Sequence, residues 1–186
     1  MMKSFPLFAV LRGRRVVIAG GGEEAVRKAA LFGRAKADLV VVAADIDRAA
    51  FEAAGVQARF VARDAEPEDF AGAFIVVVAD AGDAYAEALA RTARAAGALV
   101  NVVDRPALCD FTTPSIVDRG DVVVAISTNG TAPVLGAKLR AVVEAAAPPR
   151  LGALAAFAGS FRDAVAAAVP KASRRRFWTT FFRGPI

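Results

Sequence analysis

The chain has 186 residues, enough for one domain of the usual size of roughly 150 residues plus an appendage, or for two small domains. Twenty-four Lys and Arg against nineteen Asp and Glu give a net charge of +5, and 56% hydrophobic residues with 23% charged exclude a disordered or low-complexity chain. One Cys (Cys109) and no His exclude internal disulfides, thiolate zinc clusters and Ser-His-Asp triads, leaving proton chemistry to carboxylates, Lys, Tyr85 or hydroxyls.

The mean hydropathy is positive, yet the longest charge-free stretch, Val122 to Ala137, is broken by Ser127, Thr128, Asn129, Gly130, Thr131 and Pro133. No segment offers the roughly 18 apolar residues of a membrane span. The opening residues meet Arg12 after a short apolar stretch and lack a small-residue cleavage site, so the expectation is a cytoplasmic protein.

In chain order, short β-branched runs alternate with Ala-rich stretches, the pattern of a parallel sheet covered by helices on both faces. Strands are predicted at Val16 to Ala19, Leu39 to Ala43, Ala58 to Val61, Phe74 to Ala79 and Leu99 to Val103. The clearest helices run from Glu23 to about Gly33, with acids in the first turn, and from about Asp83 to Ala96, closed by Gly97. After Asp110 the texture changes. Ser115 to Val117 and Val122 to Ser127 flank a tight turn at Asp118 to Asp121, and Thr131 to about Ala147 reads as a helix with Pro133 in its first turn. The tail is helical to Val169, breaks at Pro170, and ends in a basic-aromatic run. The expected organisation is α/β: a Rossmann-like domain over 1–112, a small β-plus-helix dimerisation segment over 113–147, and a helical C-terminal domain over 148–186.

The most specific local signal is VVIAGGGEEA, Val16 to Ala25, in which Gly20, Gly22 and Ala25 fit G-x-G-x-x-[GA] between a predicted strand and a predicted helix. Gly20 permits a tight turn, Gly22 allows the backbone close to a pyrophosphate, and Ala25 keeps helix and strand close. Helix-start amides then face the anion. Asp45 lies at the spacing of about 20 residues beyond the motif where an acid accepts hydrogen bonds from the adenosine ribose, which favours NAD over NADP. A short-chain reductase is excluded, because Tyr85 is followed four residues later by Leu89 rather than Lys.

Three further segments follow the glycine turn in order: NVVDRP at Asn101 to Pro106, PSIVDRGDVVVAISTNGTAPVL at Pro114 to Leu135, and RRRFWTTFF at Arg174 to Phe182. Together they resemble, nearly end to end, the sirohaem synthase N-terminal module and its stand-alone relatives, the precorrin-2 dehydrogenase/sirohydrochlorin ferrochelatase family. The resemblance implies NAD-dependent oxidation of precorrin-2 to sirohydrochlorin, with insertion of ferrous iron as substrate in bifunctional members, and a homodimer interlocked through the middle segment. It places the nucleotide against Gly20, Gly21, Gly22, Glu23, Glu24, Ala44 and Asp45, and makes Asp104 the catalytic acid-base group. No resident metal site is expected. The fused enzymes carry a methyltransferase for which this sequence has no room.

For the polycarboxylate substrate, Asn101 and the Ser127-Thr128-Asn129-Gly130-Thr131 segment are candidate partners, the latter through hydroxyls and backbone amides ahead of a helix. The same segment also reads as an Asn-Gly turn followed by a Thr cap. Relatives often have Ser-Gly where this chain has Thr128-Asn129, which puts a modification reported at that Ser in doubt. The Arg174 to Phe182 run is better explained by one face of a helix packed on the body than by nucleic-acid binding, with the Arg side chains solvated or gathering substrate carboxylates. Two other readings stay open: a dehydrogenase without chelatase activity, and a non-enzymatic NAD-sensing module.

Overall fold

The computed structural model describes residues 2–184, so the outermost positions of the first and last expected segments (1, 185 and 186) lie outside the described residues. The chain divides into two compact units, Met1–Thr112 and Thr113–Ile186.

The first unit is a five-stranded, wholly parallel sheet in the order β3-β2-β1-β4-β5, built from β1 (Arg15–Ala19), β2 (Asp38–Ala43), β3 (Arg59–Ala62), β4 (Ile75–Val78) and β5 (Leu99–Val102). The strands are near-continuous β-branched runs because both faces are covered. Val16 and Ile18 of β1 face one apolar layer, with Ala25, Ala29 and Phe32 of α1 (Glu23–Arg34). Val17 and Ala19 face the other, with Ala86, Leu89, Ala90 and Ala93 of α3 (Asp83–Ala95). The helical spacings of three and four residues put each of these sets on one stripe. Their small Ala side chains let the helices lie close to the sheet.

All five strands and both long helices lie within one or two residues of their predicted bounds, and Gly97 closes α3 with φ +83°. A short helix that the sequence reading did not name, α2 (Arg48–Ala53), begins with the Asp47 carboxylate accepting from the Ala50 amide, an ordinary Asp cap. It buries Phe51 against the edge of the Phe60 ring, with centroids 5.3 Å apart. The loop before β4 is fixed by Asp69, a buried carboxylate that accepts two hydrogen bonds from Arg63 (2.7 and 3.0 Å) and one from the Glu66 amide (2.9 Å). Burial pushes the Asp69 pKa up, but the Arg63 hydrogen bonds, the Glu66 amide and the charges of Arg63 and Arg15 together hold it below the ordinary carboxylate value.

The second unit opens with an antiparallel hairpin, β6 (Ser115–Arg119) and β7 (Val122–Ile126), turning at Gly120, whose amide donates to the Asp118 carboxylate. The helices α4 (Pro133–Ala146), α5 (Leu151–Ser160), α6 (Arg162–Ala168) and α7 (Arg174–Phe181) follow. Arg119 joins hairpin to helix by donating to the carbonyls of Ala147 (2.8 Å) and Glu144 (3.3 Å) at the end of α4. At the start of α5 a Cβ on Gly152 would lie 1.6 Å from the Arg119 carbonyl oxygen, so only glycine lets this helix approach the hairpin.

Two expectations for the tail change. The helical stretch to Val169 is two helices meeting at Phe161. Arg174 is not left to solvent or substrate, because its guanidinium donates to the carbonyls of Val169 and Ala166 and closes the preceding helix. Trp178, Phe181 and Phe182 contact one another, and Phe181 stacks on Phe157, yet no residue of α7 is buried.

Candidate functional site

Parallel sheets bind ligands beyond the carboxyl ends of their strands, where the strand order reverses. Here the reversal lies between β1 and β4. The turn after β1 is so tightly enclosed that only glycines fit it. Gly20 takes φ +150°, and a Cβ there would lie 2.3 Å from the Ala79 carbonyl oxygen; a Cβ on Gly21 would lie 1.9 Å from that of Asp45. Gly20, Gly21, Gly22, Ala44 and Asp45 all line one cavity of about 370 Å³ at this end of the sheet. Glu23 is exposed and Glu24 half-buried; both pair with Arg27, and Glu24 also lines a second cavity.

That second cavity, of about 870 Å³, is lined by Asp104, Arg105, Asp80, Asp83 and Glu87 among others. It shares Asp80 and Ala81 with the first. Asp104 is exposed and stands two residues beyond Val102, which pairs with Val78 of β4. Asp80 stands two residues beyond Val78, so the two aspartates leave adjacent strands at the same level. Both adopt left-handed backbone, Asp80 at φ +54° and Asp104 at φ +60°, a conformation Asp tolerates better than most residues and one that gathers at ligand sites.

The loop carrying Asp104 is held from several sides. Arg105 donates to the Asp83 carboxylate and, at 3.0 Å, to the Ala81 carbonyl. Asp110 accepts from Arg94 and from the Val100 amide. The Cys109 thiol accepts from the Val102 amide and donates to backbone carbonyls, so this sole cysteine is a fastener of the loop.

The structure redistributes the expected substrate residues. Asn101 is buried in β5 and lines neither cavity; its amide donates to the Phe111 carbonyl at 2.9 Å, and its Oδ1 has no hydrogen-bond partner among the described residues. The Ser127 to Thr131 segment belongs to the second unit. Ser127 Oγ accepts from the Asn129 amide, Thr131 Oγ1 donates to the Thr128 carbonyl, and Asn129 and Gly130 take φ +52° and +74°. The Thr cap is not formed: Ala132 occupies the cap position of α4, because the Thr131 hydroxyl has turned back into the loop.

One residue of the glycine turn escaped the sequence reading. The Asp80 carboxylate accepts from the amides of Gly22 and Ala25, both at 3.1 Å, and so caps α1 from another strand. An Asp directly after a β-branched strand was the available signal, but a contact spanning more than fifty residues has no periodicity to reveal it.

These features define a dinucleotide-binding α/β unit joined to a hairpin-and-helix unit, and comparison with known proteins agrees. Residues 7–115 match a family model described as "Putative NAD(P)-binding", and residues 150–186 match "Sirohaem synthase dimerisation region". The chain is 45% identical to siroheme synthase 1 of Cronobacter sakazakii over 98% of its own length and 39% of that protein's. It is 41% identical to siroheme synthase of Methylobacillus flagellatus over 100% of its length and 40% of the relative's. The chain thus spans about 40% of the curated relatives it matches. Among solved structures, one titled "SirC, precorrin-2 dehydrogenase" has a TM-score of 0.74 at 24% identity, over 96% of this chain and 89% of that one, and so shares the fold. The chain belongs to the family described as putative NAD(P)-binding, and along nearly its whole length it is similar to part of the siroheme synthases.

Proposed function

We propose that this protein oxidises precorrin-2 to sirohydrochlorin with NAD, and that Asp104 is its catalytic acid-base group. The observation that carries this reading is the shared wall of the two cavities, one lined by the glycine turn and the other by Asp104. Gly20 and Gly21 let the turn pack against the Ala79 and Asp45 carbonyls, where a Cβ would clash, and the backbone amides at the start of α1 fit a pyrophosphate. The backbone of Gly20, Gly21, Gly22, Glu23 and Glu24 would line it, with the two carboxylates paired with Arg27, and Ala44 and Asp45 would receive the adenosine ribose. NAD, when bound, accepts hydride from a ring carbon of the reduced tetrapyrrole.

Asp104 takes the proton that leaves beside that carbon. Asp104 is exposed in the single chain, so the macrocycle itself would have to cover it and exclude water from the proton transfer. Arg105, locked to Asp83 and Ala81, holds the Asp104 backbone in place. In the same reading the second unit's Ser127 to Thr131 turn offers donors to substrate carboxylates, and Asp104 collects pyrrole protons when ferrous iron, a substrate, enters the macrocycle. The working form is a cytoplasmic homodimer. The match of residues 150–186 to a dimerisation region and the apolar side chains exposed on α4 support the second chain.

The test is an anaerobic absorbance assay of the full chain with precorrin-2, first with NAD and then with added Fe²⁺. Turnover with NAD is expected. Asp104→Ala should remove it, by at least about 10²-fold, the usual contribution of a general acid-base group, while NAD affinity stays within about twofold. Absence of turnover in the parent chain, with NAD bound, would instead favour a nucleotide sensor. Redox turnover without faster iron insertion would identify a dehydrogenase alone.

A further inference from the structure

The Asp80 carboxylate occupies a position that anions take in other glycine turns. Its Oδ2 lies 3.1 Å from the amides of both Gly22 and Ala25, at the positive end of α1. The seat is built for it. Gly22 stands at the cap position of α1 and supplies no capping side chain. A Cβ at Gly22 would lie 3.1 to 3.3 Å from the Asp80 carboxyl atoms, so the missing side chain makes room for the carboxylate. Asp80 enters this seat from the end of β4 with left-handed backbone, and the carboxylate of a short side chain reaches the turn only from close by.

The charge around the seat sharpens the consequence. The charged residues lining the smaller cavity are Asp45, Asp64 and Asp80, with no Lys or Arg among the described residues of that lining. Backbone amides are therefore the main donors available to a diphosphate there, and Asp80 already holds one of the lining amides, that of Gly22, together with the Ala25 amide in the first turn of α1.

We propose that Asp80 is a specificity-determining residue of the nucleotide site: in the free protein its carboxylate fills the place of a phosphate oxygen, and every diphosphate ligand binds by displacing it. This rests on the reading of the smaller cavity as the nucleotide site, which the NAD(P)-binding family match supports independently of Asp80. Displacement breaks two charge-assisted hydrogen bonds and leaves a negative charge beside the incoming phosphates. A ligand offering phosphate alone cannot offset that loss. A dinucleotide can, because its nucleosides add contacts on both sides of the turn. Asp80 thus keeps the cradle from filling with inorganic phosphates and sets the affinity for NAD.

The experiment is calorimetric titration of the full chain with NAD and, separately, with inorganic pyrophosphate, for the parent and for Asp80→Asn and Asp80→Ser. Asn keeps an oxygen at the same reach while removing the charge, and Ser removes both the charge and the reach. Thermal melts followed by circular dichroism report whether each variant is folded. Removing one charge near the phosphates should tighten NAD about tenfold in both variants and raise pyrophosphate affinity by a similar factor. Such a gain cannot come from a damaged fold. Folded variants that bind both ligands as the parent does, or more weakly, would overturn the proposal. If the parent binds NAD and the variants gain nothing, the role of Asp80 falls while the nucleotide reading stands. If the variants gain pyrophosphate but no form binds NAD, the role of Asp80 stands and the dinucleotide reading falls.

Discussion

The two units use the same kinds of residue to different ends. In the first, all four residues of β4 and nearly all of β1 are buried, and both apolar layers are complete within one chain. In the second, no residue of β7 is buried, α4 buries only Gly136, and Val134, Leu135, Leu139 and Val142 of that helix are exposed together with Phe157 and Phe161. The first unit has its own exception in the extended start of the chain, where Phe5, Leu7, Phe8 and Val10 lie exposed. A parallel sheet between helices finishes its core internally, whereas a two-stranded hairpin with short helices has too few elements to cover its own apolar faces. The second unit thus leaves apolar side chains exposed in the single chain, and its residues 150–186 match a dimerisation region.

The largest test of this contrast replaces equivalent rings in the two units. Phe51 is fully buried, whereas Phe157 is 55% exposed. Phe51→Ala should cost about 3–5 kcal/mol in denaturant unfolding, as for other buried aromatic side chains. Phe157→Ala in a dilute monomeric sample should cost well under half of that. Equal costs would mean that the second unit has a core as complete as the first.

A smaller effect is expected where the first unit spends a buried charge. Asp69→Asn should lower stability at pH 7 by about 1–3 kcal/mol, because it weakens two charge-assisted hydrogen bonds from Arg63 and places an amide NH₂ among donors. The folded-state pKa of Asp69 is depressed, so its contribution is present above the unfolded value near pH 3.9 and is lost as pH falls through the lower folded value. The gap between parent and variant in urea midpoints should accordingly be full at pH 7 and shrink progressively as pH falls below about 4. A gap as wide at about pH 2.5 as at pH 7 would assign the cost to shape rather than charge.

The same contrast governs what the sequence made legible. The sheet and its two long helices follow from hydrophobic period and from the glycines that end or turn them, which are local signals. The glycine turn and Asp45 share a cavity because the strand order brings the ends of β1 and β2 side by side, as the motif requires. Three features resisted reading because each depends on a hydrogen-bond partner that no hydrophobic period marks, near in sequence or far. Asp80 finds the α1 amides across two strands, Asn101 is drawn inside by the Phe111 carbonyl, and Arg174 turns back onto the end of α6. Thr131 shows a local failure of a different kind. Its hydroxyl donates to the Thr128 carbonyl across the left-handed Asn129-Gly130 turn instead of accepting from the amides of α4.

The smallest change in the isolated chain should have the clearest effect on assembly. Val134 is 84% exposed in the first turn of α4, beside Leu135 and on the helix that carries Leu139 and Val142. With no buried contacts to lose, Val134→Asp should alter the stability of a single chain by no more than about 0.5 kcal/mol, the usual range for an open surface position. A carboxylate near the N-terminal end of a helix is even mildly favoured by the backbone dipole. If a second chain covers this face, however, the same carboxylate must be desolvated among Val and Leu side chains without a partner, a cost of several kcal/mol per ion that an interface cannot absorb. Sedimentation velocity at micromolar concentration should then show the parent as a dimer and the variant as a monomer with an unchanged melting curve for the first unit. A variant that stays dimeric would place α4 outside the interface and leave the Phe157, Phe161 and α7 rings as the surface the second chain covers.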